Sequence, residues 1–201
     1  MMSDADERVP IILAACKGKD VLDVGCVDHD ARNAANDEWL HRKIKAVART
    51  VLGLDLAADE IEKLRGEYDI VCGDAQTVDL GRAFDCVVAG EIIEHLENPG
   101  LFLRNMRRHI RPGGLLVMST PNPFYPKRLL EILLRGHTPI NPQHVCWYCD
   151  TTLTQLVRRT GFAKVDVHFT NASSRFFGLG RLPALLNRRL ATHLVVIAVN
   201  Y

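Results

Sequence analysis

Two carboxylates and an imidazole stand close together in the segment Glu91-Ile92-Ile93-Glu94-His95. On a helical turn the first, fourth and fifth positions point the same way, so Glu91, Glu94 and His95 are predicted to share one face. Neighbouring carboxylates repel each other, and a buried carboxylate is costly unless a partner compensates its charge. A divalent cation bound by these three side chains would provide that compensation. The alternative is a helix start with two solvated acids and a capping histidine.

A fourth metal ligand has to come from elsewhere, and His144 is the best candidate among the eight histidines. It follows the proline-rich stretch 138–143 in a loop beyond the fifth predicted strand. Loops at strand ends often carry function. A neutral imidazole can also take a proton from a reacting hydroxyl. We therefore assign catalytic roles to His144 and Glu94, and leave open whether His144 is a ligand or a base.

The composition indicates one soluble, cytoplasmic domain covering residues 1–201. The chain is 47% hydrophobic, which is enough for one sizeable core. Its net charge of +1 argues against broad contacts with nucleic acid or a membrane surface. No apolar run approaches the roughly 20 residues of a spanning helix, and the polar, acidic N-terminus differs from a secretory signal. The six cysteines are expected to be reduced in that compartment.

Strand and helix patterns alternate along most of the chain. Strands are predicted at 19–25, 50–55, 68–72, 84–89, 115–119, 163–169 and 193–200. Helices are predicted at 31–48, 57–65, 98–110 and 151–159. Repeated units of this kind predict an α/β fold with a doubly wound, mostly parallel, seven-stranded sheet. The apolar and basic segment 171–190 breaks the periodicity, and we interpret it as a lid or an oligomer surface, which would allow a homodimer.

Acidic residues follow the first three strands, at the edge where open α/β sheets bind ligands. Asp23 lies near the end of the first strand and Asp55 ends the second. A carboxylate at the position of Asp55 can accept hydrogen bonds from both ribose hydroxyls. Asp74 follows the third strand, where it can accept from an exocyclic amine such as that of adenine. The pattern predicts a nucleoside site.

At this point the chain resembles the class I S-adenosylmethionine-dependent methyltransferases. The resemblance rests on the order and spacing of segments 21–26, 53–55, 73–75, 84–88, 91–96, 111–114 and 119–122. It extends over about residues 19–165. It implies S-adenosyl-L-methionine as the cofactor, and a cofactor pocket formed by Asp23, Gly25, Cys26, His29, Asp55, Leu56, Asp74, Ala75 and Glu91.

One departure from the family pattern concerns the loop after the first strand. The family usually has GCGxG there, where glycines let the backbone approach the methionine moiety. Residues 25–30 read GCVDHD, so two glycines are missing. Either cofactor binding has been lost, which would leave a non-catalytic scaffold, or His29 and its neighbours rebuild the loop. We favour the second interpretation because Asp23, Asp55 and Asp74 all remain.

The cluster of acids and histidines also resembles metal-dependent O-methyltransferases of three kinds. These are the 2′-O-methyltransferases of small RNAs, the ubiquinone-pathway enzymes and sugar O-methyltransferases of bacterial glycan pathways. The resemblance implies that Glu91, Glu94, His95 and His144 hold Mg²⁺, with Mn²⁺ as a substitute because imidazole is an unusual ligand for Mg²⁺. We predict methyl transfer to a metal-chelated hydroxyl of a sugar or oligosaccharide, such as a methylated mannoside. A small RNA and a quinone precursor are the alternative acceptors.

Overall fold

A computed structural model of the chain describes residues 6–137, 141–171 and 186–201. Its seven strands form one sheet in the order β3-β2-β1-β4-β5-β7-β6. The strands are β1 Asp20–Val24, β2 Thr50–Asp55, β3 Ile70–Cys72, β4 Phe84–Gly90, β5 Ile110–Pro121, β6 Phe162–Thr170 and β7 His193–Asn200. The first five run parallel, and β7 is antiparallel to both β5 and β6. The predicted α/β fold with a mostly parallel sheet is confirmed.

Helices cover both faces of this sheet. They are α1 Arg8–Cys16, α2 Leu40–Val47, α3 Ala58–Lys63, α4 Pro99–Arg108, α5 Pro126–Arg135 and α6 Asp150–Arg159. Successive residues of a strand point to opposite faces. In β1, accordingly, Val21 packs with the α1 and α2 side and Leu22 with the α4 and α6 side. None of the helices in the described ranges is long and apolar enough to cross a membrane.

The predicted helix over 31–48 is wrong as a single element. The structure has a short 3₁₀ helix at Ala31–Ala35, a turn, and then α2. The turn forms because the Asn36 side chain accepts from the backbone N–H of Glu38, an interaction that competes with helix formation. Trp39 lies before the helix, and its indole N–H donates to the Cys26 carbonyl at 2.8 Å. This segment therefore supports the loop after β1.

Other boundaries differ from the predictions in informative ways. Helix α1 was not predicted, although it packs against the sheet through Ile12 and Cys16. Strand β3 is shorter than predicted, and β5 starts five residues earlier, at Ile110. Most of segment 171–190 lies outside the described residues, so its interpretation as a lid or oligomer surface stays a prediction.

A charged cluster closes the amino ends of the strands. Asp20 opens β1, Asp85 lies at the start of β4, and both are paired with Arg49 and Arg111. Hydrogen bonds, led by that from Arg49, hold the pKa of Asp20 below its usual value. A bond from the Asp20 backbone N–H, followed by Arg111, lowers the pKa of Asp85. Acids and bases balance here, two against two.

Candidate active site and metal centre

Two adjoining cavities open at the carboxyl ends of the parallel strands. The larger has a volume of about 860 Å³ and the smaller about 340 Å³. Both are lined by Val24, Gly25, Asp28, Gly90 and Glu91, which end or follow β1 and β4. This is the edge of the sheet at which open α/β folds bind ligands, and at which the sequence predicts a ligand site.

The larger cavity contains most of the residues singled out from the sequence. Those that line it are Gly25, His29, Asp55, Leu56, Asp74, Ala75, Glu91, Glu94, His95 and His144. Several further lining residues were not predicted, among them Gln76, Ile92 and Leu96. The backbone or apolar side chain of such residues carries no distinctive sequence signal, so sequence reasoning could not single them out.

The acids after β2 and β3 are held by neighbouring backbone groups. Asp55 accepts from the N–H of Val27 at 3.0 Å and from that of Ala57 at 3.1 Å. Asp74 accepts from the N–H of Gln76 at 2.8 Å. Each carboxylate oxygen has a second lone pair and can accept a further bond from a ligand. The orientation of both carboxylates is therefore fixed, and both can still accept a hydrogen bond from a ligand at the edge of the cavity.

In the loop after β1, two residues that are not glycine have a backbone conformation that glycine favours. Asp28 and His29 both have positive φ, at 53° and 65°, as Gly25 does at 74°. Asp and His tolerate this region better than most side chains do. The Val27 N–H bond to Asp55 and the Trp39 bond to Cys26 fix the loop from two sides. The backbone thus retains a turn that the missing glycines would have favoured.

Asp23 and Cys26 line the smaller cavity and do not line the larger one. Asp23 is only 3% exposed, and its carboxylate is 2.9 Å from Nδ1 of His41. Cys26 is buried, and burial raises the pKa of its thiol, which keeps it protonated. The structure therefore places these two predicted cofactor residues at the smaller cavity.

Glu94, His95 and His144 come together in the lining of the larger cavity. Each offers one ligand atom, and these atoms all lie within 4.8 Å of one another. The 3₁₀ turn Ile93–His95 presents the first two side chains. The loop that carries His144 is attached to the same turn, because the N–H groups of Val145 and Cys146 both donate to the Glu94 carbonyl. One backbone atom thus ties the two segments together.

The electrostatics of this cluster suit a divalent cation. Glu94 is 1% exposed, and its Oε2 accepts from Thr120 at 3.0 Å. Its Oε1 is buried without a hydrogen-bond partner among the described residues. Burial, with repulsion from Glu91, raises the pKa of Glu94 to about 8. Burial also lowers the pKa of His95 and of His144, so both imidazoles are neutral and can donate lone pairs.

Glu91 lies outside that group, which corrects the expected single helical face. The 3₁₀ turn begins only at Ile93, and Glu91 has a positive φ of 51°. Its carboxylate lies 2.9 Å from Arg8 Nη1 and accepts from Ser119 at 2.8 Å. Burial alone would raise the pKa of Glu91, but His193, Arg8 and Ser119 together lower it to about 2. The cation that Glu91 requires comes from Arg8, which sequence reasoning missed.

Residues 5–167 match the model of the methyltransferase domain family, and the chain belongs to that family. It is 34% identical over 157 residues to a probable S-adenosylmethionine-dependent methyltransferase of Mycolicibacterium smegmatis, covering 75% of this chain and 54% of that protein. It is 30% identical over 123 residues to the mitochondrial ubiquinone biosynthesis O-methyltransferase of Schizosaccharomyces pombe, covering 60% of this chain and 44% of that protein. The chain spans about half the length of these curated relatives.

Solved structures of methyltransferases share the fold. An S-adenosylmethionine-dependent methyltransferase from Archaeoglobus fulgidus superposes with a TM-score of 0.65 at 19% identity, over 96% of this chain and 91% of that one. A possible histamine N-methyltransferase from Thermotoga maritima gives 0.68 at 14% identity, over 96% and 88%. At these identities the likeness concerns the fold.

Proposed function

We propose that the protein is an S-adenosylmethionine-dependent O-methyltransferase that methylates a hydroxyl of a sugar or oligosaccharide, with a divalent cation holding the acceptor. The observation that carries this proposal is the cluster of Glu94, His95 and His144. Among the described residues, Oε1 of Glu94 is buried without a hydrogen-bond partner, and one oxygen of this carboxylate lies within 4.8 Å of a ring nitrogen of each of two neutral imidazoles. A structural role would leave that oxygen unsatisfied at a cost, whereas a bound cation satisfies it.

Several features support cofactor binding in the larger cavity. When bound, S-adenosylmethionine supplies a methyl group on a positively charged sulfur. Asp55 and Asp74 are oriented to accept from the ribose hydroxyls and the adenine amine. Leu56, which is 68% exposed, is an apolar surface that a nucleoside would cover. The positive-φ backbone at Asp28 and His29 argues that the altered loop keeps its shape, and against a decayed, non-catalytic scaffold.

Glu94, His95 and His144 would hold the cation, and Glu91 is no longer needed as a ligand. When bound, Mg²⁺ or Mn²⁺ supplies Lewis acidity, which makes an acceptor hydroxyl more acidic. Glu94 must give up its proton as it becomes a ligand, because its pKa is raised. Glu91 stays ionised through its contacts with Arg8 and His193. It therefore keeps negative charge near the centre without occupying a ligand position.

His144 has two compatible chemical roles. As a ligand, it donates a lone pair from a neutral ring nitrogen. As a general base, it would take the proton of the acceptor hydroxyl on that nitrogen. Burial lowers the pKa of His144, so the unprotonated ring is available at neutral pH in either case. Metal affinity of His144→Ala separates the two roles, because loss of a ligand weakens the cation and loss of a base does not.

A sugar acceptor is supported by the groups around the cluster. Asn141 lines the larger cavity, and Trp147 follows His144 by three residues with 39% of its surface exposed. Amides and exposed aromatic rings are common partners of polar ligands that stack and hydrogen-bond. The side-chain amide of Asn122 donates to the Arg189 and Ala191 carbonyls and has no N–H group left for an acceptor.

A quinone precursor with neighbouring hydroxyls is the second candidate acceptor. The observation that favours it is the similarity to ubiquinone biosynthesis O-methyltransferases at about 30% identity. Both candidates present two adjacent oxygens that one cation can bind. The two proposals therefore share the metal centre and differ in what surrounds the acceptor.

The test is formation of S-adenosylhomocysteine with a methylated mannoside or a catechol as acceptor, in Mg²⁺, Mn²⁺ or EDTA. We expect turnover with the mannoside that requires metal. Turnover with the catechol alone would replace the sugar with the quinone-type acceptor. Equal turnover in EDTA would contradict the metal-dependent mechanism and would indicate that the cluster of Glu94, His95 and His144 has a structural role.

A further inference from the structure

Helix α5 has its apolar face turned to the solvent. Four of its side chains are 54% to 75% exposed: Leu129, Leu130, Leu133 and Leu134. At about 3.6 residues per turn, Arg128 points away from that face. Arg128 is only partly exposed, and its Nε is buried without a hydrogen-bond partner among the described residues. The helix thus turns a charged side chain towards the protein, where an uncompensated charge is costly.

Arg128 has no counter-ion in the part of the chain that the structure describes. No carboxylate of the described ranges lies within ion-pair distance of its guanidinium, and Glu131, the one acid of α5, lies 3.9 Å from Lys127. The guanidinium carbon is 5.4 Å from the centre of the Trp147 ring. A ring attracts a cation without neutralising it, and it leaves the N–H fork available to a carboxylate or a phosphate. Arg128 can therefore bind an anionic ligand without first breaking an ion pair.

The surroundings of Arg128 connect it to the candidate metal centre. Strand β5 leads into α5, and Thr120 near the end of β5 donates to Oε2 of Glu94. Trp147, whose ring lies beside Arg128, is three residues from His144 in the same loop. Burial and, to a smaller extent, the charge of Arg128 lower the pKa of His144. The charge of Arg128 therefore acts on the centre at which the acceptor would be held.

We propose that the acceptor carries an anionic group, a carboxylate or a phosphate, and that Arg128 binds this group while the cation holds the acceptor hydroxyls. This proposal rests on the proposed function and specifies its acceptor further. The bound anion gives the half-buried guanidinium the partner that it lacks. Two anchors, the cation and the guanidinium, fix both the position and the orientation of the acceptor. Arg128 is then a specificity-determining residue that selects acidic acceptors, such as a uronate or a sugar phosphate, over neutral ones.

The experiment is calorimetry on the full chain saturated with S-adenosylhomocysteine, in Mg²⁺, with matched acceptors. One set contains a methylated mannoside, the corresponding uronate, and the phosphate ester at its primary hydroxyl. The second set contains catechol and its carboxylated form, dihydroxybenzoate, so that the result does not depend on the acceptor ring. The variants are Arg128→Gln and Arg128→Lys. The matched control is Arg135→Gln, which removes an exposed arginine of the same helix.

In the wild type and in Arg135→Gln, we expect an anionic acceptor to bind about tenfold or more tightly than its neutral counterpart, the value of one charge-assisted contact. In Arg128→Gln that ratio should fall to about one, while the affinity for the neutral acceptor stays within about twofold of wild type. Arg128→Lys should give an intermediate ratio, because it keeps the charge and loses the planar fork. A preference for the uronate or for the phosphate ester identifies which anionic group is bound.

Three outcomes would overturn the assignment of Arg128. They are a wild-type ratio near one, an unchanged ratio in Arg128→Gln, and equal weakening of neutral and anionic acceptors in that variant, which would make Arg128 a structural residue. If Arg128→Gln does not fold, the wild-type and Arg128→Lys ratios decide. Metal-dependent binding of neutral acceptors with no preference for anionic ones would refute this inference and leave the proposed function intact. Absence of binding by every acceptor in Mg²⁺ would instead contradict the proposed function.

Discussion

The two ends of the parallel sheet differ in how the charges of their acidic residues are compensated. At the amino end, Asp20 and Asp85 are matched by two arginines, and their pKa values are lowered. At the carboxyl end, Glu94 is buried with one oxygen unpartnered among the described residues, and its pKa is raised to about 8. Both ends hold clustered acids, so acidity alone does not distinguish a site from a structural feature.

Charge balance is what separates the two ends. A cluster that contains its own counter-ions is complete, and its acids stabilise the fold in their ionised form. A buried acid that lacks a counter-ion lowers stability until a ligand supplies one. Glu91 shows how close the two cases can be. It stands only three residues before Glu94 in the sequence, but its negative charge is compensated by Arg8.

Replacing His144 should have the largest effect on activity. His144→Ala is expected to reduce methyl transfer by about 100-fold to 10,000-fold, the range for losing a general base. A lost metal ligand would give a decrease of similar size. Stability should change little, because the side chain lines the cavity and is only partly buried. Single-turnover rates at saturating cofactor measure the effect, and a rate within a few-fold of wild type would remove His144 from the mechanism.

Removing the charge of Glu94 should separate activity from stability. Glu94→Gln keeps the shape of the side chain, so we expect a loss of methyl transfer of about 100-fold or more with unchanged or higher thermal stability in EDTA. The matched variant is Asp85→Asn at the amino end. It should keep full activity and lose about 1 kcal/mol of stability with its charged hydrogen bonds. If both variants behaved alike, the contrast between the two ends would be wrong.

The pH dependence of stability should also differ between the ends. The folded-state pKa of Glu94, about 8, lies above the ordinary 4.5, so the folded protein binds an extra proton between these values. In EDTA, stability should therefore fall as the pH rises from 4.5 to 8. Glu94→Gln should abolish that decrease. The pKa values of Asp20 and Asp85 are lowered, so their contribution is complete above the ordinary value of 3.8 and is lost only in acid. Urea titrations across this pH range measure both effects.

The smallest effect is expected for the exposed arginine of the amino cluster. Arg49 is 58% exposed, and exposed ion pairs contribute little to stability. Arg49→Ala should therefore shift the midpoint of unfolding slightly and leave methyl transfer unchanged. Its effect should shrink in high salt, because exposed charges are screened. A large loss of activity in this variant would show that the amino end is coupled to the site.

Much of the fold could be predicted because the sheet has strong local signals. Apolar strands ending in glycine or aspartate, separated by helical patterns, determined the α/β class and the edge where the site lies. The break at Asn36 was missed because a single side-chain bond to the backbone outweighs a continuous helical pattern. Helix α1 was missed because its stability comes from packing on the sheet, which a local pattern does not report.

The candidate site was predictable in its residue types and less so in its grouping. Glu94, His95 and His144 were chosen together from sequence, and the structure brings them together. Glu91 was grouped with them because helical spacing was assumed, whereas its positive φ turns it toward Arg8. The ion pair of Arg8 with Glu91 could not be predicted, because the two residues are 83 positions apart and no local pattern connects them. Ion pairs between residues that are distant in the sequence could not be predicted from local patterns.

The most direct measurement is calorimetric titration of a methylated mannoside into the protein saturated with S-adenosylhomocysteine, once in Mg²⁺ and once in EDTA. We predict acceptor binding in Mg²⁺ that EDTA abolishes and that Glu94→Gln lacks. Acceptor binding of equal strength in EDTA would contradict it. That result would mean that the unpartnered oxygen of Glu94 serves the fold alone, and that the carboxyl end of the sheet holds its acceptor without a cation.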